Sequence, residues 1–100
     1  SDLLGFAAMH YGQNDAHLML LATQPRCRRR GVGSMLLAWL EATAQVAGIE
    51  TIHLEARSGN AGAQAFYLSH GFVEHDRRIG YYQGTEDAVR YRKSLGGPER

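Results

Sequence analysis

Residues 16–56 hold the pattern that most limits the folds open to this chain. An apolar stretch, AHLMLLAT (16–23), runs into a basic turn with two glycines, RCRRRGVGS, spanning Arg26 to Ser34. The turn opens a segment of helical periodicity over about 33–47, and TIHLEA (51–56) follows with apolar and polar residues in strict alternation. A strand, a helix and a second strand in succession imply a parallel pair joined by a right-handed crossover. All-helical and purely antiparallel architectures are thereby excluded.

The flanking segments add antiparallel pairs. LLGFAAMHY (3–11) reads as a strand, and GQND (12–15) is a run of turn residues that closes a hairpin onto 16–23. Pro25 ends that second strand because it has no N–H to donate. In the first helix Leu36, Trp39, Leu40 and Ala47 are expected on the buried stripe, with Glu41 and Gln45 facing away. Gly48 suits the position just past its end. Asn60 can cap a second helix over 61–70, closed by Gly71. Two further strands, from Phe72 to Tyr82 and from Asp87 to Leu95, join around QGTE (83–86). The expected order is β-β-α-β-α-β-β: an α+β fold with a mixed sheet, one domain over 1–95 and a short tail over 96–100.

With 100 residues, 44% of them apolar and 21% charged, the composition is that of an ordinary soluble domain. A net charge of +1 gives no general attraction to polyanions, although four of the eleven Lys and Arg residues crowd between Arg26 and Arg30. Nucleic-acid binding normally spreads its basic residues over a face, so this confined cluster argues against it. Cys27 is the only cysteine, which excludes an internal disulfide and favours a reducing, cytoplasmic setting. His10, His17, His53, His70 and His75 lack metal-ligand spacing, so no metal is expected. No apolar run reaches the length of a membrane span, and no signal peptide opens the chain.

A glycine turn between a strand and a helix is a setting for phosphate. The first N–H groups of the helix point at the ligand, the dipole adds partial positive charge, and glycine lets the backbone approach closely. There is no GxxxxGK[ST], and Gly31 and Gly33 lack the third glycine of a dinucleotide fingerprint. RRRGVG fits instead Arg/Gln-x-x-Gly-x-Gly/Ala, the pyrophosphate signature of the GCN5-related N-acetyltransferases (GNAT), and the chain resembles that family. QPRCRRRGVGSMLLAWLEA is similar to its loop and crossover helix, and IHLEA with NAGAQAFYLSHGF to its next strand and second helix. RRIGYY and EDAVRYRKSL are similar to its closing hairpin. Within the family the likeness runs toward ribosomal-protein alanine and other protein N-terminal acetyltransferases. The family fold ordinarily opens with a strand and two helices that have no counterpart here. The resemblance therefore implies a truncated or minimal version, with an open sheet edge to which a second copy could pair as a homodimer.

The resemblance also assigns roles. The backbone of Leu21, Ala22 and Thr23 would lie along the pantetheine arm of acetyl-CoA, and Arg28, Arg29, Arg30, Gly31, Val32, Gly33 and Ser34 would hold its pyrophosphate. Glu55 would be the general base and Tyr67 the general acid, near the cofactor's sulfur. Asn60 would contact the cofactor, while Tyr81 and Tyr82 would hold an acceptor peptide. Ordinary readings stand beside these: strand core for 21–23, a solvent-facing carboxylate for Glu55, ring packing beside Phe66 for Tyr67, and helix capping for Asn60. Adjacent strand residues point to opposite faces, so one of the two tyrosines at most should face a groove. The implied activity is acetyl transfer from acetyl-CoA to an amine, most naturally a protein N-terminus. The alternative is a CoA-binding or interaction module of the same fold without turnover.

Overall fold

The computed structural model describes residues 5–23 and 31–96. Seven elements appear in the expected order: β1 (Gly5–Tyr11), β2 (Asp15–Thr23), α1 (Val32–Val46), β3 (Thr51–Arg57), α2 (Ala61–Ser69), β4 (Val73–Tyr82) and β5 (Glu86–Ser94). The strands form one mixed sheet in the order β1-β2-β3-β5-β4. β2 and β3, the strands that α1 connects, are neighbours. β5 lies between β3 and β4, so the connection through α2 skips one strand position. By compactness the chain divides into two units, Ser1–Ile52 with Ser94–Arg100, and His53–Lys93.

In the first unit β1 and β2 pair antiparallel from Gly5↔Thr23 to Tyr11↔Ala16, with a bulge between Ala8 and Met9. The Gly12 N–H donates to the Asp15 carbonyl at 2.7 Å and closes the turn. α1 packs on both strands. Its buried residues are Val32, Leu37, Leu40 and Ala44. This corrects the expected stripe: Trp39 is 63% exposed, and Ala47 is the exposed C-cap. Met35, Trp39, Ala42 and Val46 form a second stripe at helical spacing, all exposed. Apolar residues on two nearly opposite faces satisfy the same 3.6-residue period, so periodicity could not choose between them. Each fully buried Leu contributes roughly 1.5–3 kcal/mol, so the choice matters energetically. The helix ends as expected. The N–H of Gly48 donates to Gln45 and that of Ile49 to Ala44, at 3.0 and 2.9 Å, which is the Schellman pattern.

In the second unit Leu54, Ala56, Phe72, Ala88, Val89 and Tyr91 are buried. α2 buries no residue fully and has only nine residues, too few for a stable isolated helix. Its ends are therefore decisive. The Asn60 side chain accepts the Ala63 N–H at 3.0 Å, as a capping residue should. At the far end the N–H groups of Gly71 and Phe72 donate to Leu68 and Tyr67 at 3.2 and 3.1 Å, a second Schellman motif. β4 and β5 pair antiparallel with two irregularities, between Glu74 and Asp76 and between Arg78 and Tyr82. β4, at the end of the sheet order, is exposed along most of its length.

Candidate active site

The residues assigned to cofactor binding lie mostly in the first unit. Leu21, Ala22 and Thr23 are the last three residues of β2, paired in register with Ala7, Phe6 and Gly5. Arg28, Arg29 and Arg30 lie outside the described residues. Gly31 is the N-cap of α1 with φ +80° and ψ 6°, no side chain caps the helix, and its carbonyl accepts the Met35 N–H at 2.9 Å. That left-handed conformation is costly for any residue with a Cβ. A Cβ built there would meet no described atom within 4 Å. Val32 and Gly33 follow in the first turn, where N–H groups have no partner within the helix, and Ser34 completes that turn. This geometry suits an anionic group.

The catalytic and acceptor candidates lie in the second unit. Burial in β3 alternates as the sequence implies, with Ile52, Leu54 and Ala56 buried and Thr51, His53 and Glu55 less fully so. Glu55 is not the solvent-facing carboxylate of its ordinary reading. Its side chain is 10% exposed, and Oε2 pairs with Arg90 Nε at 3.3 Å. Arg90 also reaches Asp76 Oδ2, 3.8 Å from Nη1.

Tyr67 is fixed by the end of its own helix. Its carbonyl receives the Phe72 N–H, and its ring meets Phe72 edge-on with centroids 5.7 Å apart. Phe66 and Tyr91 contact it at 5.3 and 6.5 Å between centroids. Ring packing is therefore real, yet the hydroxyl forms no hydrogen bond among the described residues. Burial pushes this phenol above its ordinary pKa of 10.0.

Tyr81 and Tyr82 depart from the expectation. Their rings touch edge to face, 5.0 Å between centroids and 87° between planes, which strict alternation does not allow. The register shift between Arg78 and Tyr82, with Gly80 at φ +64°, breaks the alternation. Tyr81 is 49% exposed, and Tyr82 is half-buried beneath the Arg57 guanidinium, 4.1 Å from the ring centroid. Burial first, and the Glu55 carboxylate second, raise the Tyr82 phenol above its ordinary value, while Arg57 opposes them. Glu55 and Tyr82 thus share one electrostatic neighbourhood. Glu86 completes it: Oε1 pairs with Arg57 Nη1 at 3.0 Å and Oε2 accepts the Gly59 N–H at 3.0 Å.

Arg57, Glu86 and Arg90 were not singled out from the sequence. Arg57 had a signal, since it stands two residues after Glu55 in an alternating strand. Arg90 and Glu86 had none, because their partners come from strands whose order is not written locally. Among the described residues no group of three or more His, Cys, Asp or Glu side chains could hold a metal ion. No helix among them is long and apolar enough to cross a membrane.

The Acetyltransferase (GNAT) family profile matches residues 1–72. The chain is 40% identical over 90 residues to the [Ribosomal protein bS18]-alanine N-acetyltransferase of Salmonella typhimurium, covering 87% of this chain and 61% of that protein. The crystal structure of the Escherichia coli ribosomal-protein-S18-alanine N-acetyltransferase superposes with a TM-score of 0.87 at 33% identity, over 97% of this chain and 64% of that one. An acetyltransferase of Bacillus anthracis, solved in complex with acetyl coenzyme A, superposes with a TM-score of 0.83 at 26% identity, over 91% of this chain and 55% of that one. The chain belongs to the GNAT acetyltransferase family. It spans 61% of the length of the Salmonella relative.

Proposed function

We propose that this protein is an acetyl-CoA-dependent N-acetyltransferase acting on a protein N-terminus, with a ribosomal protein's N-terminal alanine as the leading acceptor. The setting would be a reducing cytoplasm. One observation carries the reading: Tyr67 presents a phenol that burial raises above its ordinary pKa and whose hydroxyl no described residue engages. The kinship with ribosomal-protein alanine acetyltransferases supports this acceptor class.

The residues fit the donor. The backbone at Gly31 and the first turn of Val32, Gly33 and Ser34 would take its pyrophosphate, with Arg28, Arg29 and Arg30 adding charge. The backbone of Leu21, Ala22 and Thr23, together with Asn60, would hold the rest of the molecule. When bound, acetyl-CoA supplies the acetyl group as an activated thioester. Glu55 would take the proton of the acceptor ammonium, directly or through water. A peptide α-amine with a pKa of about 7.7–8.0 needs only modest help of this kind. Tyr67 Oη would give its proton to the departing thiolate, leaving a phenolate that solvent reprotonates. Tyr81 and Tyr82 would position the acceptor backbone.

The test is direct. Acetyl-CoA should raise the melting temperature of the chain, and mass spectrometry should find acetylated product on peptides with N-terminal alanine. Thermal stabilisation without product would favour the binding module, and no stabilisation would overturn both readings.

A further inference from the structure

The geometry points to Arg90 as the positioning residue of the Glu55 carboxylate, with Asp76 holding Arg90 in turn. This rests on the reading of Glu55 as general base. The three residues come from three strands that are consecutive in the sheet, β3, β5 and β4, and they form a carboxylate–guanidinium–carboxylate row.

The row depends on a bulge. Glu74 stands opposite Tyr91 and Asp76 opposite Arg90, so β4 spends one extra residue, His75, at this point. In unbroken register His75 would face Arg90, and Asp76 would stand opposite Val89, which is fully buried. The bulge therefore places a carboxylate, in place of the His75 imidazole, opposite the guanidinium, the kind of re-aiming for which bulges are retained.

Stability alone is a weak reason for such a row. Partly buried ion pairs gain little over apolar packing of the same volume, because desolvation offsets the Coulomb attraction. A general base, in contrast, must be held in one orientation toward the proton it abstracts. A planar guanidinium does this better than an ammonium, which acts as a rotating point charge. With side chains 10% and 23% exposed, Glu55 and Arg90 are covered enough for the pair to persist in water.

Steady-state acetylation of an N-terminal alanine peptide by the full chain tests the assignment. Arg90→Gln should lower kcat by about tenfold to a hundredfold, the scale of a misplaced catalytic group, with the KM for acetyl-CoA unchanged. Arg90→Lys should recover part of the loss. In an Glu55→Gln background, Arg90→Gln should cost nothing further, since it acts only through that carboxylate. Full kcat in Arg90→Gln, or losses that multiply in the double variant, would overturn the assignment. If Arg90→Gln does not fold, Asp76→Asn replaces it, with a smaller kcat loss that again vanishes in the Glu55→Gln background. Absent turnover in the wild type, or normal turnover in Glu55→Gln, instead overturns the underlying reading and is seen before any Arg90 variant is made.

Discussion

Phe72 and Tyr67 are joined twice: the N–H of Phe72 donates to the carbonyl of Tyr67 at 3.1 Å, and their rings meet edge-on at 5.7 Å. These are the last hydrogen bond and the apolar contact of a Schellman motif. The motif that ends α2 therefore also orients the proposed general acid. Gly71, at φ +90°, makes it possible. Gly71→Ala should destabilise the protein by about 1–2 kcal/mol through the left-handed backbone. The added Cβ would also lie 3.2 Å from Lys93 Cε, a contact the flexible lysine can relieve only by moving. Urea denaturation reads the loss, and a fall in kcat beyond the unfolded fraction would show Tyr67 displaced.

Tyr67→Phe removes a hydroxyl that makes no hydrogen bond among the described residues. Stability at neutral pH should hardly change, while kcat should fall by about a hundredfold, the lower range for a lost general acid. A variant with full kcat would remove Tyr67 from the chemistry.

Alkaline stability follows from three tyrosines. Burial is the largest cause that raises Tyr67, Tyr82 and Tyr91 above 10.0. For such groups the unfolded chain loses its protons first, so above the unfolded value it binds fewer protons than the native state, and stability falls as pH rises. The contribution is complete below about pH 10 and is lost as pH climbs through the higher folded values. Melting temperatures from pH 8 upward should show this decline, and Tyr67→Phe should make it shallower.

The cap made by Asn60 and its proposed contact with the cofactor can be tested apart. Asn60→Ala should cost about 1 kcal/mol through loss of the bond to the Ala63 N–H. Asn60→Ser should keep the cap and most of the stability. If acetyl-CoA affinity falls equally in both variants by calorimetry, the side chain also touches the cofactor; if it falls in neither, capping is its whole role.

Glu86 holds Arg57 over Tyr82 and the Gly59 N–H at once. Arg57 is 53% exposed, so solvent screens the pair and Glu86→Ala should cost no more than about 1 kcal/mol in stability. The larger effect should be a raised KM for the acceptor peptide, with the KM for acetyl-CoA unchanged, as the support of Tyr82 loosens. A rise in both constants would point to a general collapse of the β4–β5 turn.

Much of the fold was legible because its signals are local. Alternation in TIHLEA identified β3 and its buried face, Asn60 marked a helix start by its side-chain acceptor, and Gly48 and Gly71 marked helix ends by the left-handed backbone that glycine adopts cheaply. The turn through Gly31 announced itself by the strand before it and the helix after it. The proposed roles of Glu55, Asn60 and Tyr67 came with the resemblance.

Other features depend on which segments meet. The helix α1 carries two apolar stripes, and the strands packed against it, not its own period, bury Leu37 and leave Trp39 exposed. The contact of Tyr81 with Tyr82 needed a register shift that no pairwise rule of strand alternation foretells. Glu55 acquired Arg90 because β5, last in the chain, inserts beside β3, and Asp76 joined them through a bulge. Periodicity and capping act over a few residues along the backbone. Ion pairs and exposure are properties of neighbours in space, and those neighbours exist only once the strands have taken their order.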